Sequence, residues 1–337
     1  MRRICVVVSA RPSYARCKTA LIALRDAGAD LQIIAAASSL TWRHGRVVDV
    51  MRADGLDIAA EVPAVVDGGG TRESVMATGL LTMQLGPLLA SLKPDCCVTI
   101  ADRHETLATA IAAAYQHIPL CHIQGGEVSG SIDDKVRNAV TQLADLHLVA
   151  TDRAASRIFC MTMQTAEVTG CPSIDLAAEA MRLGPIHRAD IVVLQHPVTG
   201  EVEQAGEQMR QTIKAVGLEA LYFWPGEDAG ADDMSKALRL AGIHPVRNLE
   251  PVEFLRVLLG AKVLVGNSSV GIRECSFLGV PVINVGTRQQ GRERGPNVCD
   301  MASLWRVIPP YPSRPEPSTL YGDGHAGKRI AEALLAW

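Results

Sequence analysis

The feature that most constrains this chain is a repeated switch of period. Short β-branched apolar runs alternate with longer stretches of helical spacing, and each run ends in a polar or glycine-bearing turn. Such alternation specifies parallel strands with helices packed on both faces of a sheet. In the first half the expected strands are Ile4–Val8, Leu31–Ala35, Cys96–Ile100, Leu120–Ile123, Leu146–Val149 and Glu167–Thr169. Thr71–Leu92 reads as one long helix, ended by Lys93-Pro94 because proline disfavours helix in the residue before it. The pattern pauses over Cys171–Ala189 and resumes with Ile191–Leu194, Ala220–Phe223, Ile243–Val246, Val263–Val265 and Val282–Val285. A chain of 337 residues exceeds one ordinary core, so the resumption marks a second doubly wound domain. Five prolines from Pro309 to Pro317 form an extended connector, and Ala326–Trp337 then reads as a closing helix with Ile330, Leu334 and Leu335 on its docking face.

A net charge of −3 gives no general attraction to nucleic acid or acidic lipid, so any bound anion needs a local site. The nine cysteines are scattered without Cys-x-x-Cys spacing and read as small buried hydrophobes, with no metal expected. The N-terminal apolar run is too short for a signal peptide, and no apolar stretch is read as approaching about 20 residues. A reduced, cytoplasmic setting and no membrane contact are expected. The Gly68–Gly70 run follows no strand closely and reads as a flexible loop.

Polar residues collect just past the expected strand ends, where loops of an open parallel sheet bind ligands. Arg11 follows the first strand, Asp102 to Glu105 the third, and His122 to Asp134 the fourth; His196 and Asn267 to Ser269 do the same in the second half. The turn at Ser268 offers free backbone N–H groups to an anion, or Ser268 merely caps the helix. Glu274, one to two turns into that helix, would be near enough to accept hydrogen bonds from a ribose. Arg288, Arg292 and Arg294 sit in a glycine-bounded loop, either solvated or placed on a diphosphate. Asp102, Glu127, Asp133 and Asp134 are candidate acid and base groups with Arg137 close by, and Glu127 stands in a glycine-flanked turn that lets backbone approach a ligand. His122 ends an apolar strand and reads equally as a satisfied core histidine or a catalytic one.

These stretches resemble the UDP-N-acetylglucosamine 2-epimerase family in its hydrolysing branch. The resemblance runs through Ala101-Asp102-Arg103-His104-Glu105, His122 to Asp134, Gln195 to Thr199, Gly266 to Glu274, Gly286 to Arg292 and Tyr321-Gly322-Asp323-Gly324. It implies a GT-B-like α/β fold of two Rossmann-like, doubly wound parallel-sheet domains with the active site in the cleft between them. The implied division is 1–175 and 176–321, with 322–337 returning to the first domain. Nucleotide and substrate contacts would fall to Arg11, Arg103, His196, Ser268, Ser269, Glu274, Arg288 and Arg292. Acid and base work would fall to Asp102, Glu127, Asp133 and Arg137, with His122 nearby. Ala101 stands where the family usually has glycine, Gln124 where some relatives have glutamate, and Gly226 where an asparagine is seen. Because Gln124 cannot titrate, it carries no proton.

The implied partners are a UDP-sugar substrate and a UDP product, with a homodimer or higher homo-oligomer as the common assembly. In the implied reaction the C1–O bond to the diphosphate breaks, a carboxylate takes the C2 proton, and water adds to the resulting 2-acetamidoglycal. That scheme requires no metal or cofactor. A GT-B glycosyltransferase, a non-hydrolysing epimerase and a silent nucleotide-sugar-binding protein share the cleft and differ in products. The residues leave open which amido sugar and which nucleobase are bound.

Overall fold

The computed structural model describes residues 2–42, 45–67, 70–130, 132–226, 228–247, 249–302 and 311–337. One sheet contains β1 (Arg3–Val8), β2 (Asp30–Ala36), β3 (Ile58–Val62), β4 (Cys96–Ile100), β5 (Leu120–Ile123), β6 (Leu146–Val149) and β7 (Glu167–Val168). The other contains β8 (Ile191–Leu194), β9 (Leu221–Tyr222), β10 (Val263–Gly266), β11 (Val282–Val285) and β12 (Val298–Met301). The helices are α1 (Arg11–Ala15), α2 (Lys18–Asp26), α3 (Val47–Ala53), α4 (Thr71–Leu92), α5 (His104–Tyr115), α6 (Asp133–Leu143), α7 (Asp152–Thr162), α8 (Pro172–Leu183), α9 (Ala205–Val216), α10 (Ala231–Leu240), α11 (Pro251–Gly260), α12 (Ser269–Ile272), α13 (Glu274–Leu278) and α14 (Ala326–Ala336).

All pairings are parallel, in the orders β3-β2-β1-β4-β5-β6-β7 and β12-β11-β10-β8-β9. Both central strands are covered on two faces, which is why β1 and β8 are continuous apolar runs rather than alternating ones. In each sheet the strand order reverses once, between β1 and β4 and between β8 and β10. The crevices at the carboxyl ends of those pairs are the two places where this architecture leaves room for a ligand.

Several expectations are corrected. Ile243–Val246 is not a strand; it contributes a single parallel bridge from Val246 to Phe223, beyond β9. Edge strands β3 and β12 were not foreseen, because their half-exposed residues lack a continuous apolar run. The stretch that breaks the alternation holds α8, whose Leu176, Ala177 and Ala180 enter the second core. Residues 311–317 of the proline-rich connector have no regular structure, while Pro309 and Pro310, like Gly68 and Gly69, lie outside the described residues. Contrary to the reading that no apolar stretch nears 20 residues, α4 has the length and composition of a membrane span. Its Ala77, Leu81, Leu85 and Leu89 face is nonetheless buried in the protein.

The last helix returns to the beginning of the chain. Ile330, Ala331 and Leu334 join the core built on β1. The Asp175 carboxylate fixes the helix start by accepting from the Ala326 and Gly327 N–H groups at 2.9 and 2.7 Å and from the Thr19 hydroxyl at 2.7 Å. A Cβ at Gly327 would sit 2.3 Å from Thr19 Oγ1, so only glycine allows α14 to approach α2 this closely.

Candidate active site

On the N-terminal side, the chain leaves β4 through Ala101 at φ +66°, a left-handed conformation that turns Asp102 toward the second sheet. The Ala101 carbonyl is 2.8 Å from His122 Nε2, and Thr141 Oγ1 is 3.2 Å from Nδ1, so both ring nitrogens are occupied beneath the turn. Burial pushes His122 down to about 4, and the ring is neutral. Leaving β5, the chain turns at Gln124 and Gly126, both at positive φ, before Glu127. A Cβ on Gly126 would lie 2.3 Å from the Ala154 carbonyl oxygen, so the position demands glycine.

Arg137, on α6, is completely buried and ties these turns together. It donates to the Glu127 carbonyl at 2.6 Å and to the carboxylates of Asp102 and Asp134. Asp134 accepts from the Ser129 and Gly130 N–H groups at 2.8 and 2.7 Å, which ties the start of α6 to the segment after Glu127. It is therefore a structural member of the cluster. Asp133, one residue earlier, is half-buried at the start of α6.

From the C-terminal side come Arg273, at the junction of α12 and α13, and Arg292, in the loop after β11. Arg273 donates to Glu127 Oε2 at 2.7 Å, and Arg292 donates to the same oxygen while lying 3.8 Å from Asp102. Arg16 reaches across in the other direction, donating to Ser269 Oγ at 3.3 Å and standing 3.9 Å from Asp102. Burial would raise the Glu127 carboxyl, but Arg273, Arg292 and Arg137 outweigh it and hold the group at about 2. Burial likewise opposes ionisation of Asp102, and Arg137, Arg16 and Arg292 overcome it, holding that carboxyl well below its usual range. Desolvation and the neighbouring Arg273 push Arg292 down to about 10. Four guanidinium groups thus surround two fully ionised carboxylates plus Asp134, with buried Nε atoms of Arg273 and Arg292 and Oε1 of Glu127 unpartnered among the described residues.

A second group forms at the β8/β10 crevice. The His196 N–H donates to Asn267 Oδ1 and Asn267 Nδ2 donates to the His196 carbonyl, both at 2.8 Å, locking the two strand ends together. Gly226 N–H donates to His196 Nδ1 at 2.8 Å, which puts the ring proton on Nε2; burial, then Arg288, pushes this histidine down to about 3. A Cβ at Gly226 would stand 3.0 Å from Nδ1, which accounts for glycine here. Asp228 bridges Arg288 at 3.1 Å and Arg103 at 3.6 Å across the cleft. Ser268 caps α12 through a 3.4 Å bond from Val270 N–H, and Glu274 keeps a buried Oε2 with no partner among the described residues. Arg11 donates to the Leu249 carbonyl on the opposite side.

The structure thus brings Asp102, Glu127, Arg137 and Arg292 into one cluster, and Arg103, His196 and Arg288 into another. It leaves His122 beneath the first. Arg16, Arg273 and Asp228 are the cluster members that sequence reasoning missed. The adjacent Arg273 and Glu274 inside the otherwise mostly apolar Val270–Leu278 stretch were the available signal for Arg273. Among the described residues no group of three His, Cys, Asp or Glu side chains could hold a metal ion.

Two Rossmann-like sheets with a charged cluster between their carboxyl edges define a GT-B-like α/β protein, with the cleft between the sheets as its candidate ligand site. A family model described as UDP-N-acetylglucosamine 2-epimerase matches residues 23–335. The chain is 30% identical to a Legionella pneumophila UDP-N,N'-diacetylbacillosamine 2-epimerase (hydrolyzing), over 99% of this chain and 96% of the relative. It is 25% identical to a Campylobacter jejuni GDP/UDP-N,N'-diacetylbacillosamine 2-epimerase (hydrolyzing), over 89% and 84%. Among solved structures, a Staphylococcus aureus MnaA–UDP co-structure superposes with a TM-score of 0.78 at 17% identity, covering 100% of this chain and 96% of that one. The chain belongs to the UDP-N-acetylglucosamine 2-epimerase family and is an enzyme of that family.

Proposed function

We propose that this protein is a hydrolysing 2-epimerase, converting a UDP-linked 2-acetamido sugar into UDP and the free manno-configured amido sugar. The observation that carries the reading is the pair of buried carboxylates, Asp102 and Glu127, held ionised by guanidinium groups from both sides of the cleft. A C2 proton beside an amide is not acidic. It becomes removable once the C1–O bond has largely broken and positive charge develops next to it. Cleavage needs cations on the departing diphosphate, and Arg11, Arg288, Arg292 and the Ser268–Ser269 turn are the groups assigned to it, with Glu274 on the ribose. Asp102 then takes the C2 proton, and Glu127 or Asp133 returns one to the opposite face as water adds at C1.

The ion pairs suit this order of events. A diphosphate competes for the arginines that hold Glu127 at about 2, so anion binding lets the carboxyl rise toward a range where it can carry a proton. The chain's relatives in the hydrolysing branch support water, rather than a sugar acceptor, as the second reactant. The lobes of this reading are 1–175 with 322–337, and 176–321. All nine cysteines are free thiols, seven of them buried, in keeping with a reducing cytoplasmic setting.

The test is turnover in deuterated water with UDP-N-acetylglucosamine and UDP-N,N'-diacetylbacillosamine. Free UDP together with a released sugar carrying deuterium at C2 is the expected result. A product still attached to nucleotide, or release without C2 exchange, overturns the proposal.

A further inference from the structure

A narrow crevice reaches Glu127 between the 126–128 turn, α7, the 291–293 loop and Tyr321. Exposure falls along its walls. Arg153 is exposed, Val128, Arg157 and Glu293 are half-buried, and Glu127 and Arg292 are buried. Among the described residues assigned to the nucleotide, Arg292 alone lines it, so the crevice meets Glu127 away from Arg11, His196, Ser268 and Arg288. Hydrogen bonds hold the walls in place. Thr151 Oγ1 donates to Glu293 Oε2 at 2.6 Å, Tyr321 Oη to the Glu293 carbonyl at 2.8 Å, and Arg157 Nε to the Gly126 carbonyl at 3.0 Å. A Cβ at Gly291 would lie 2.4 Å from Val128 Cγ1, so glycine lets the two sides of the cleft close to this width. The room left inside is about 10 Å³, the space that a single water needs. Glu127 Oε1 and Arg292 Nε are buried with no partner among the described residues. They belong to two side chains already joined through Glu127 Oε2 and Arg292 Nη1, so this acceptor and this donor are close together, and one water can serve both.

We propose that this crevice is the water inlet of the reaction, bringing to Glu127 the one water that adds at C1. The inference rests on the hydrolysing reading given above and deepens it by naming the route and the carboxylate. While a sugar and its diphosphate fill the front of the cleft, they bar water from that side, and an opening behind Glu127 does not cross them. In the addition, the C1=C2 π pair of the glycal takes the proton of protonated Glu127 at C2. The water oxygen bonds to C1, and the proton it gives up returns to the Glu127 carboxylate, so atoms and charge balance and Glu127 ends as it began. Size then sets the choice of nucleophile. Room for a single water admits no alcohol or sugar hydroxyl, so the glycal is hydrated rather than joined to an acceptor.

The test is product analysis by proton NMR with UDP-N-acetylglucosamine and UDP-N,N'-diacetylbacillosamine, where free glycal shows its vinylic C1–H. Val128→Ile adds one methylene to the wall and Val128→Phe plugs the crevice. Each should release UDP at close to the wild-type rate while the share of product escaping as unhydrated glycal rises by about tenfold or more. Wild-type enzyme given methanol beside water should form the free sugar without methyl glycoside, a measurement that needs no variant. An unchanged glycal share in the folded Val128 variants, or methyl glycoside formed by the wild type in proportion to the methanol present, overturns the inlet and leaves the hydrolysing reading standing. A wild-type product still attached to nucleotide takes down that reading and the inlet together.

Discussion

Glu127 Oε2 accepts a 2.7 Å hydrogen bond from Arg273 Nη2, joining residues 146 positions apart and from opposite sides of the cleft. Each is almost wholly removed from water, and Arg292 shares the same carboxylate oxygen. The charges are worth keeping only as a set, because removing one partner strands the others in a medium that cannot solvate them.

Glu127→Gln removes the anion that two buried arginines share. It should lower the unfolding free energy by about 3 kcal/mol, read from urea denaturation. Adding Arg273→Met relieves one stranded charge, so the double variant should be less damaged than the sum of the singles, with a coupling of about 1 kcal/mol or more. Strict additivity would show that the two residues do not act on each other.

Acid should loosen the protein in two stages. His122 lies at about 4 in the folded state against 6.5 for a free histidine, so its contribution is intact above pH 6.5 and drains away as pH falls toward 4. Glu127, held at about 2 against 4.5, contributes fully above pH 4.5, and its share is lost as pH falls toward 2. Thermal midpoints measured from pH 7.5 to pH 3 should decline across both windows, and Glu127→Gln should flatten only the lower one. An unchanged slope below pH 4.5 in that variant would remove Glu127 as a source of acid sensitivity.

Ala101 holds φ +66°, a region where an L side chain costs roughly 1–2 kcal/mol and glycine almost nothing. Ala101→Gly should therefore stabilise the fold by about 1 kcal/mol, visible as a raised thermal midpoint, although it lies next to Asp102. A lowered midpoint would mean that the Cβ packs more favourably than its backbone strain costs.

How much of this was legible in the sequence follows from which interactions are local. Strands β4, β5, β6, β8 and β11 were read to the residue because strands buried on both faces are short, mostly apolar runs, with at most one polar residue each, bounded by turns. β3 was missed because an edge strand alternates burial over five residues and resembles a loop. In the candidate site, Asp102 and Glu127 were visible because they follow a strand end and a glycine turn, and Arg137 because it lies close to them in sequence and matches the family pattern. Arg273 and Arg16 were not, since their partners are defined only when the two sheets face each other. His122 could be read either way until the hydrogen bonds to Ala101 and Thr141 showed it holding the turn from below.

Asp102→Asn separates binding from chemistry. The amide keeps the shape of the carboxylate and can still accept from Arg137, so the fold should persist, with a circular dichroism spectrum like that of the wild type. It cannot take a proton from C2, and turnover should fall by about 10³-fold, with C2 deuterium exchange falling in parallel. Removing one negative charge from among Arg16, Arg137 and Arg292 also leaves the cleft more positive, so UDP should bind several-fold more tightly, by calorimetry, while the reaction stalls. Lower turnover with unchanged C2 exchange would place the slow step after proton removal. Near-normal turnover would take Asp102 out of the reaction, and weaker UDP binding would mean that its charge orients the arginines toward the nucleotide rather than competing for them.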